Sequence, residues 1–188
     1  MRSPDHTRRV VVTGVGVVSP VGNDKDTAWN SLVEGRSGLD VLTRFDVSPY
    51  EHKAGGEVRD FEPTAWMDSK AVRRSEREMH YGVAAASQAV EDSGYQIDDA
   101  NRTDVGVVFG SGAGGQQLMI DNFSTLVEKG PNRVQPTFIA NALVDSTSGM
   151  IAIETGAIGH NIAIVSACST GTHPAPGRQL RGEWIVSP

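Results

Sequence analysis

Residues 161–172 read Asn-Ile-Ala-Ile-Val-Ser-Ala-Cys-Ser-Thr-Gly-Thr, and no other stretch constrains the fold as much. The apolar run from Ile162 to Val165 predicts a short buried strand, because such a run closed by turn residues fits a covered sheet. Ser166 and Ala167, both small, then lead to Cys168, the only cysteine in the sequence. Small neighbours let the backbone turn sharply and let a second molecule approach the sulfur. Ser169, Thr170 and Gly171 would then offer free N–H groups at the start of a helix, where the dipole favours the reactive thiolate. The pattern is strand, nucleophile, helix, with sulfur in place of a serine hydroxyl. The competing reading is a small buried hydrophobe, the common role of a free cysteine.

The rest of the chain supplies further elements in order. Arg9 to Val12 open a strand that breaks at Thr13-Gly14 and resumes at Val15 to Val18. Asn23 or Asp24 caps a helix with Trp29, Leu32 and Val33 on one face, ending at Gly35. Residues 36–66 read as an extended excursion with short strands, one at Ala54–Val58. A long helix follows over 69–92, capped by Asp68, stopped at Gly94, with Val72, Met79, Val83, Ala86 and Val90 as its buried stripe. Its charged first half reads as a solvated face, and His80 as a partly exposed helix residue. Val105 to Phe109 predicts a second buried strand, followed by a glycine loop and a helix carrying Met119, Phe123, Leu126 and Val127. Asp145 caps a short helix with Met150, Ile151 and Ile153 inward, closed by Gly156.

Two glycine patterns suggest a dinucleotide. Gly14 and Gly16 lack the third glycine and are followed by Ser19-Pro20, so the context fails. Gly110-x-Gly112-x-x-Gly115 fits between a strand and a helix, but the acidic residue expected about twenty positions later is replaced by a helix end at Gly130-Pro131. A dinucleotide-binding module therefore rests on that loop alone.

Composition narrows the class. A hydrophobic content of 38% and a net charge of −6 suit a soluble chain and argue against a nucleic-acid partner. Residues 1–9 lack the apolar segment of a signal peptide, no apolar run is long enough to span a membrane, and one cysteine excludes an internal disulfide; a cytoplasmic location is expected. His6, His52, His80, His160 and His173 lack paired ligand spacing, so no metal site and no cofactor are expected.

Ser166-Ala-Cys168-Ser-Thr-Gly-Thr-His173, preceded by Gly156-Ala-Ile-Gly159-His-Asn161, resembles the active-site segment of the β-ketoacyl-acyl-carrier-protein synthases, the type II condensing enzymes. Val10-Val-Val-Thr-Gly14-Val-Gly16, Phe45-Asp46, Ala54-Gly55-Gly56-Glu57-Val58, Asp60-Phe61-Glu62-Pro63, Arg73-Arg74, Gly110-Ser-Gly112-Ala-Gly114-Gly115 and Gly130-Pro131 agree in order. Several motifs in register over 8–173 make chance agreement improbable. The resemblance implies a thiolase-like layered αβαβα fold, its N-terminal half, with residues 8–173 as a β-ketoacyl synthase N-terminal domain. It implies decarboxylative Claisen condensation of an acyl thioester with malonyl-acyl carrier protein, in fatty acid synthesis. Cys168 would take the acyl group. Ala113 would set the depth of the acyl pocket, and Phe138 and Leu143 lie where the family reaches that pocket across a homodimer. Partners would be acyl carrier protein bearing acyl and malonyl groups, and a second copy of the chain.

Departures are specific. Ser75 and Glu78 replace more apolar residues near the family's dimer interface, and Asp145 replaces an asparagine. After His173, to which a structural role is given, the family continues in a long amphipathic helix. Here Pro174 and Pro176 stand in its first turns, which that helix does not tolerate. Residues 174–188 are therefore expected to be a divergent tail, from a frameshifted or mis-spliced reading frame. The family's two catalytic histidines, supporting lysine and gating phenylalanine belong to its second half, so the chain alone is expected to be inactive. The alternatives are a non-catalytic dimerisation fragment and a ketosynthase-type subunit of a polyketide synthase.

Overall fold

A computed structural model describes residues 10–172 and 183–186. His173 and most of the residues after it, where the broken helix was expected, lie outside the described residues.

The central strand β3, Val105–Gly110, is buried at every residue, as a strand with neighbours on both edges should be. It pairs in parallel with β4, Asn161–Ile164, and with β5, Glu183–Val186. No strand was expected within 174–188, yet β5 runs alongside β3 with Val105 opposite Glu183, and Ile185 joins the core. Conversely, the 161–165 segment is not the covered strand that its apolar run predicts. Among the described residues β4 has a neighbour on one side only, and Ile162 is 40% and Val165 54% exposed.

Helix α1 spans Lys25–Val33, and Asp24 caps it by accepting the Thr27 N–H at 2.8 Å. A short antiparallel pair follows, β1 Leu39–Val41 with β2 Ala54–Gly56. The helix expected over 69–92 is two helices, α2 Ser69–Val72 and α3 Arg77–Ser93. Asp68 does cap the first, accepting the Lys70 N–H. The break is made by Ser75, whose hydroxyl donates to the Ala71 carbonyl at 2.8 Å while the Arg74 and Ser75 N–H groups fold back to Ala71 and Val72. A serine that takes a backbone carbonyl competes with helix continuation. The stripe of α3 survives the break: Met79, Val83 and Ala86 are buried, and Gly94 ends the helix as expected.

Helix α4, Gln116–Lys129, leads through a short turn to α5, Phe138–Ala142, and then to α6, Ser146–Thr155. Asp145 precedes α6 but makes no capping bond. Ile151 is fully buried, whereas Ile153, expected inward, is 75% exposed. Residues two apart on a helix point about 200° apart, so both cannot face one core. Helices α3 and α6 pack on each other and on the sheet, and Val83, Ala86, Val105, Val107, Phe109 and Ile151 form the centre of the core.

Residues 10–18, expected as a strand in two pieces, join no sheet. The Val15 N–H donates to Asp92 Oδ2 at 2.9 Å and the Val17 N–H to Gln88 Oε1 at 3.1 Å, both on α3. Those two N–H groups are committed to helix side chains and cannot serve a ladder. The approach is close: a Cβ on Gly16 would lie 1.9 Å from the Ala85 carbonyl oxygen.

Candidate active site

The chain leaves β4 at Ile164, opposite Gly110 at the end of β3, and enters a tight 3-10 turn over Ala167–Ser169. Cys168 lies on this turn as an exposed free thiol, so it fills no core position. The turn satisfies its own backbone. Ser169 N–H donates to the Ser166 carbonyl at 3.2 Å, Thr170 N–H to Ala167 at 3.0 Å and Thr172 N–H to Ser169 at 3.0 Å. The free donors expected from Ser169 and Thr170 are therefore not free, because the backbone winds into i→i+3 bonds directly after the strand. Hydroxyls reinforce the turn: Ser169 Oγ donates to the Ser166 carbonyl at 2.9 Å, and the Ser166 N–H donates to Thr170 Oγ1 at 2.9 Å. Ala167 takes a left-handed φ of 49°, a conformation that non-glycine residues adopt at a cost.

The glycine loop leaves the same, C-terminal end of β3. Three amides at its far end are engaged: Gly114 N–H donates to Ser111 Oγ at 3.1 Å, Gly115 N–H to the Ala142 carbonyl at 3.3 Å and Gln116 N–H to the Gly114 carbonyl at 2.9 Å. A phosphate cradle at the start of α4 needs those three donors free, and here they are bonded within the protein. The loop packs on the end of α5, where a Cβ on Gly114 would touch Val144. In open parallel sheets this end of the strands is where ligands bind.

The residues expected around the acyl chain distribute as follows. Ala113 is exposed in the glycine loop, and Leu143 is 48% exposed at the α5 end against which that loop packs. Phe138 is half-buried on α5, its ring edge-on to Phe123 of α4 at 5.9 Å. Gly114 and Gly115, next to Ala113, meet residues 141–144 around Leu143, and Gly110 joins the loop to the Cys168 turn through Thr170. A hollow of about 850 Å³ lies between α3 and the glycine loop, lined by Arg44, Glu76, His80, Tyr81, Phe109 and Gly114 among others, and none of the four expected site residues lines it.

His80 differs from expectation. It is 6% exposed, with Nε2 3.2 Å from the Val72 carbonyl and 3.1 Å from Ser75 Oγ. A carbonyl only accepts, so Nε2 carries the proton and donates it. Burial lowers its pKa below the ordinary value, since charging the ring would strand a cation away from water. Glu76, which accepts the Leu118 N–H, is shifted the other way, upward, by the same desolvation. Sequence reasoning read His80 as partly exposed because it lies in a charged stretch, and the Ser75 turn that meets its ring leaves no periodic signal. It also passed over Thr170, although a hydroxyl in a turn of small residues is the ordinary signal for a side chain that bonds the local backbone.

Among the described residues no helix is long and apolar enough to cross a membrane, and no three His, Cys, Asp or Glu side chains are grouped to hold a metal ion.

The comparisons agree with this geometry. Residues 7–176 match the N-terminal domain of β-ketoacyl synthases. Over 166 residues the chain is 43% identical to 3-oxoacyl-[acyl-carrier-protein] synthase 2 of Coxiella burnetii and 44% identical to that of Vibrio harveyi. In each case the match covers 88% of this chain and 40% of the relative, so the chain spans less than half the length of these relatives. Among solved structures, the ishigamide ketosynthase/chain length factor superposes with a TM-score of 0.80 at 30% identity, over 89% of this chain and 42% of that one. The α/β architecture is therefore the thiolase-like fold of the ketosynthases, over their N-terminal part. The chain belongs to the β-ketoacyl synthase family, and it carries that family's N-terminal domain.

Proposed function

We propose that this chain carries the acyl-accepting half of a 3-oxoacyl-[acyl-carrier-protein] synthase, with Cys168 as nucleophile. The observation that carries the reading is the exposed thiol on a tight turn at the C-terminal end of β3 and β4. The Cys168 thiolate attacks the carbonyl carbon of an acyl thioester. A sulfur–carbon bond forms, the oxyanion collapses, and the carrier's thiol leaves with a proton. The Cys168 N–H is one donor to that oxyanion. Malonyl-acyl carrier protein then loses carbon dioxide, and the resulting carbanion attacks the Cys168 thioester and frees the thiolate. The histidines for that second step belong to the part of the family with which this chain does not align.

Residues 8–173 carry the acyl-accepting unit, and 174–188 diverge from the family in sequence although 183–186 pair with β3. Ala113 bounds the distal end of the acyl chain, and Phe138 and Leu143 complete its wall. Phe123, Ile139 and Leu143, all exposed and apolar on the α4–α5 side, support a homodimer there. The working location is the cytoplasm, where carrier-bound acyl groups are made and used. Polyketide rather than fatty acid synthesis is the second reading, favoured by the similarity to a ketosynthase/chain length factor.

The test is a chimera in which residues 8–173 replace the corresponding part of the Coxiella burnetii relative. Condensation of acyl- and malonyl-carrier, lost on Cys168→Ala, is the expected result. A chimera that folds and dimerises but stays inactive with Cys168 present contradicts the reading.

A further inference from the structure

Thr170 is the buried residue of the Cys168 turn, 5% exposed, while Ala167, Cys168 and Ser169 around it are exposed. Its two branches do different things. The hydroxyl accepts the Ser166 N–H at 2.9 Å, at the point where the chain leaves β4. The methyl is seated against Gly110, the last residue of β3, so closely that a Cβ there would lie 2.2 Å from Thr170 Cγ2. The next contacts of such a Cβ are milder, 3.2 Å to the Thr170 carbonyl oxygen and 3.4 Å to that of Ile164. A β-branched side chain has few χ1 choices, so engaging both branches fixes the residue in one pose.

We propose that Thr170 is a positioning residue for Cys168, locked by its methyl in the notch left by Gly110 and by its hydroxyl to the strand exit. The proposal rests on the reading of Cys168 as acyl acceptor. Neither branch touches the substrate. The lock fixes how far the turn stands off the sheet end, and so where the sulfur, two residues earlier, meets an acyl carbonyl. It also explains why glycine stands at the end of β3: any side chain there would push Thr170, and the turn with it, outward.

The experiment uses the full chain and four variants: Thr170→Val, Thr170→Ser, Gly110→Ala, and Gly110→Ala combined with Thr170→Ser. Amide exchange at Ser166 and iodoacetamide alkylation at Cys168 are followed by mass spectrometry, with transfer from an acyl-pantetheine thioester in parallel. Thr170→Val keeps the methyl and loses the acceptor, so exchange at Ser166 should rise about tenfold, with acyl transfer falling by a similar factor. Thr170→Ser keeps the acceptor and should stay within about twofold of the parent in exchange. Gly110→Ala should disturb both readouts, and adding Thr170→Ser should return them to the level of Thr170→Ser alone, because the clashing methyl is gone. A threonine that packs there without positioning Cys168 would leave acyl transfer unchanged in every variant. Unchanged Ser166 exchange in Thr170→Val, or Gly110→Ala behaving no worse alone than with Thr170→Ser, overturns the proposal. Should the parent chain alkylate at Cys168 but take no acyl group, the nucleophile reading fails, while the exchange and rescue measurements still decide the lock.

Discussion

Two sets of helices in this molecule carry apolar residues that the sequence assigns to a covered face, and they end in opposite environments. On α3 and α6, Val83 and Ile151 are sealed against β3. On α1 and α4, Trp29, Leu32 and Val33 are 62–68% exposed, Phe123 is 56% and Val127 85% exposed. The sequence pattern that predicts a helix is the same in both. What differs is whether a second surface lies opposite: α3 and α6 have the sheet and each other, and α1 has no comparable contact. Periodicity encodes which face is meant to be covered, and only tertiary neighbours decide whether it is.

The sharpest test of that contrast lies within one helix. Ile151→Ala should destabilise the chain by about 2–5 kcal/mol, the range for emptying a sealed core site, while Ile153→Ala, facing outward, should stay within about 0.5 kcal/mol. Comparable losses in urea melts would mean that the core does not lie where α6 meets β3. A smaller effect separates two glycines. Gly16→Ala drives a methyl into the α3 backbone and should cost about 1–3 kcal/mol, whereas Gly112, with nothing within 4 Å of a Cβ, should accept alanine without loss. Equal tolerance would detach residues 14–17 from α3.

The smallest effect is a slope with pH. His80 has a folded pKa below its ordinary value of 6.5, so between the two values the unfolded chain binds a proton that the folded chain refuses. Its contribution is present above about pH 6.5 and is lost as the pH falls toward the folded value. Glu76, raised above 4.5, works in the other direction, its contribution falling as pH rises through its folded value. Comparing His80→Asn with the parent chain cancels Glu76. The parent should lose more stability than the variant between about pH 7.5 and about pH 5.5. Parallel pH dependence would place His80 in water.

Much of this was legible in the residues. The strand at 105–110, the Asp24 and Asp68 caps, the stop at Gly94 and the strand–cysteine turn all follow from local chemistry that the structure repeats. The family resemblance, read from motifs at 10–16, 54–63, 110–115 and 156–173, stands on the same ground. The failures share a cause, which is competition between partners far apart in sequence. Residues 10–18 read as a strand, but Asp92 and Gln88 capture their donors. The 161–165 strand reads as buried, but it has one neighbour instead of two. Trp184-Ile185-Val186 reads as the end of an irregular tail, but β3 has an open edge that it fills. The helix at 69–92 breaks because one serine hydroxyl finds a carbonyl, a choice that periodicity does not register.

The account turns on Cys168, and the most direct measurement is the site of acylation. The chain is incubated with an acyl-carrier thioester, quenched, digested and mapped by mass spectrometry. The acyl mass should appear on the peptide carrying Cys168, remain stable in acid, leave with hydroxylamine, and vanish in Cys168→Ala. An acyl group found on Ser169 or another hydroxyl, or retained in Cys168→Ala, would contradict the assignment of this turn as the nucleophile.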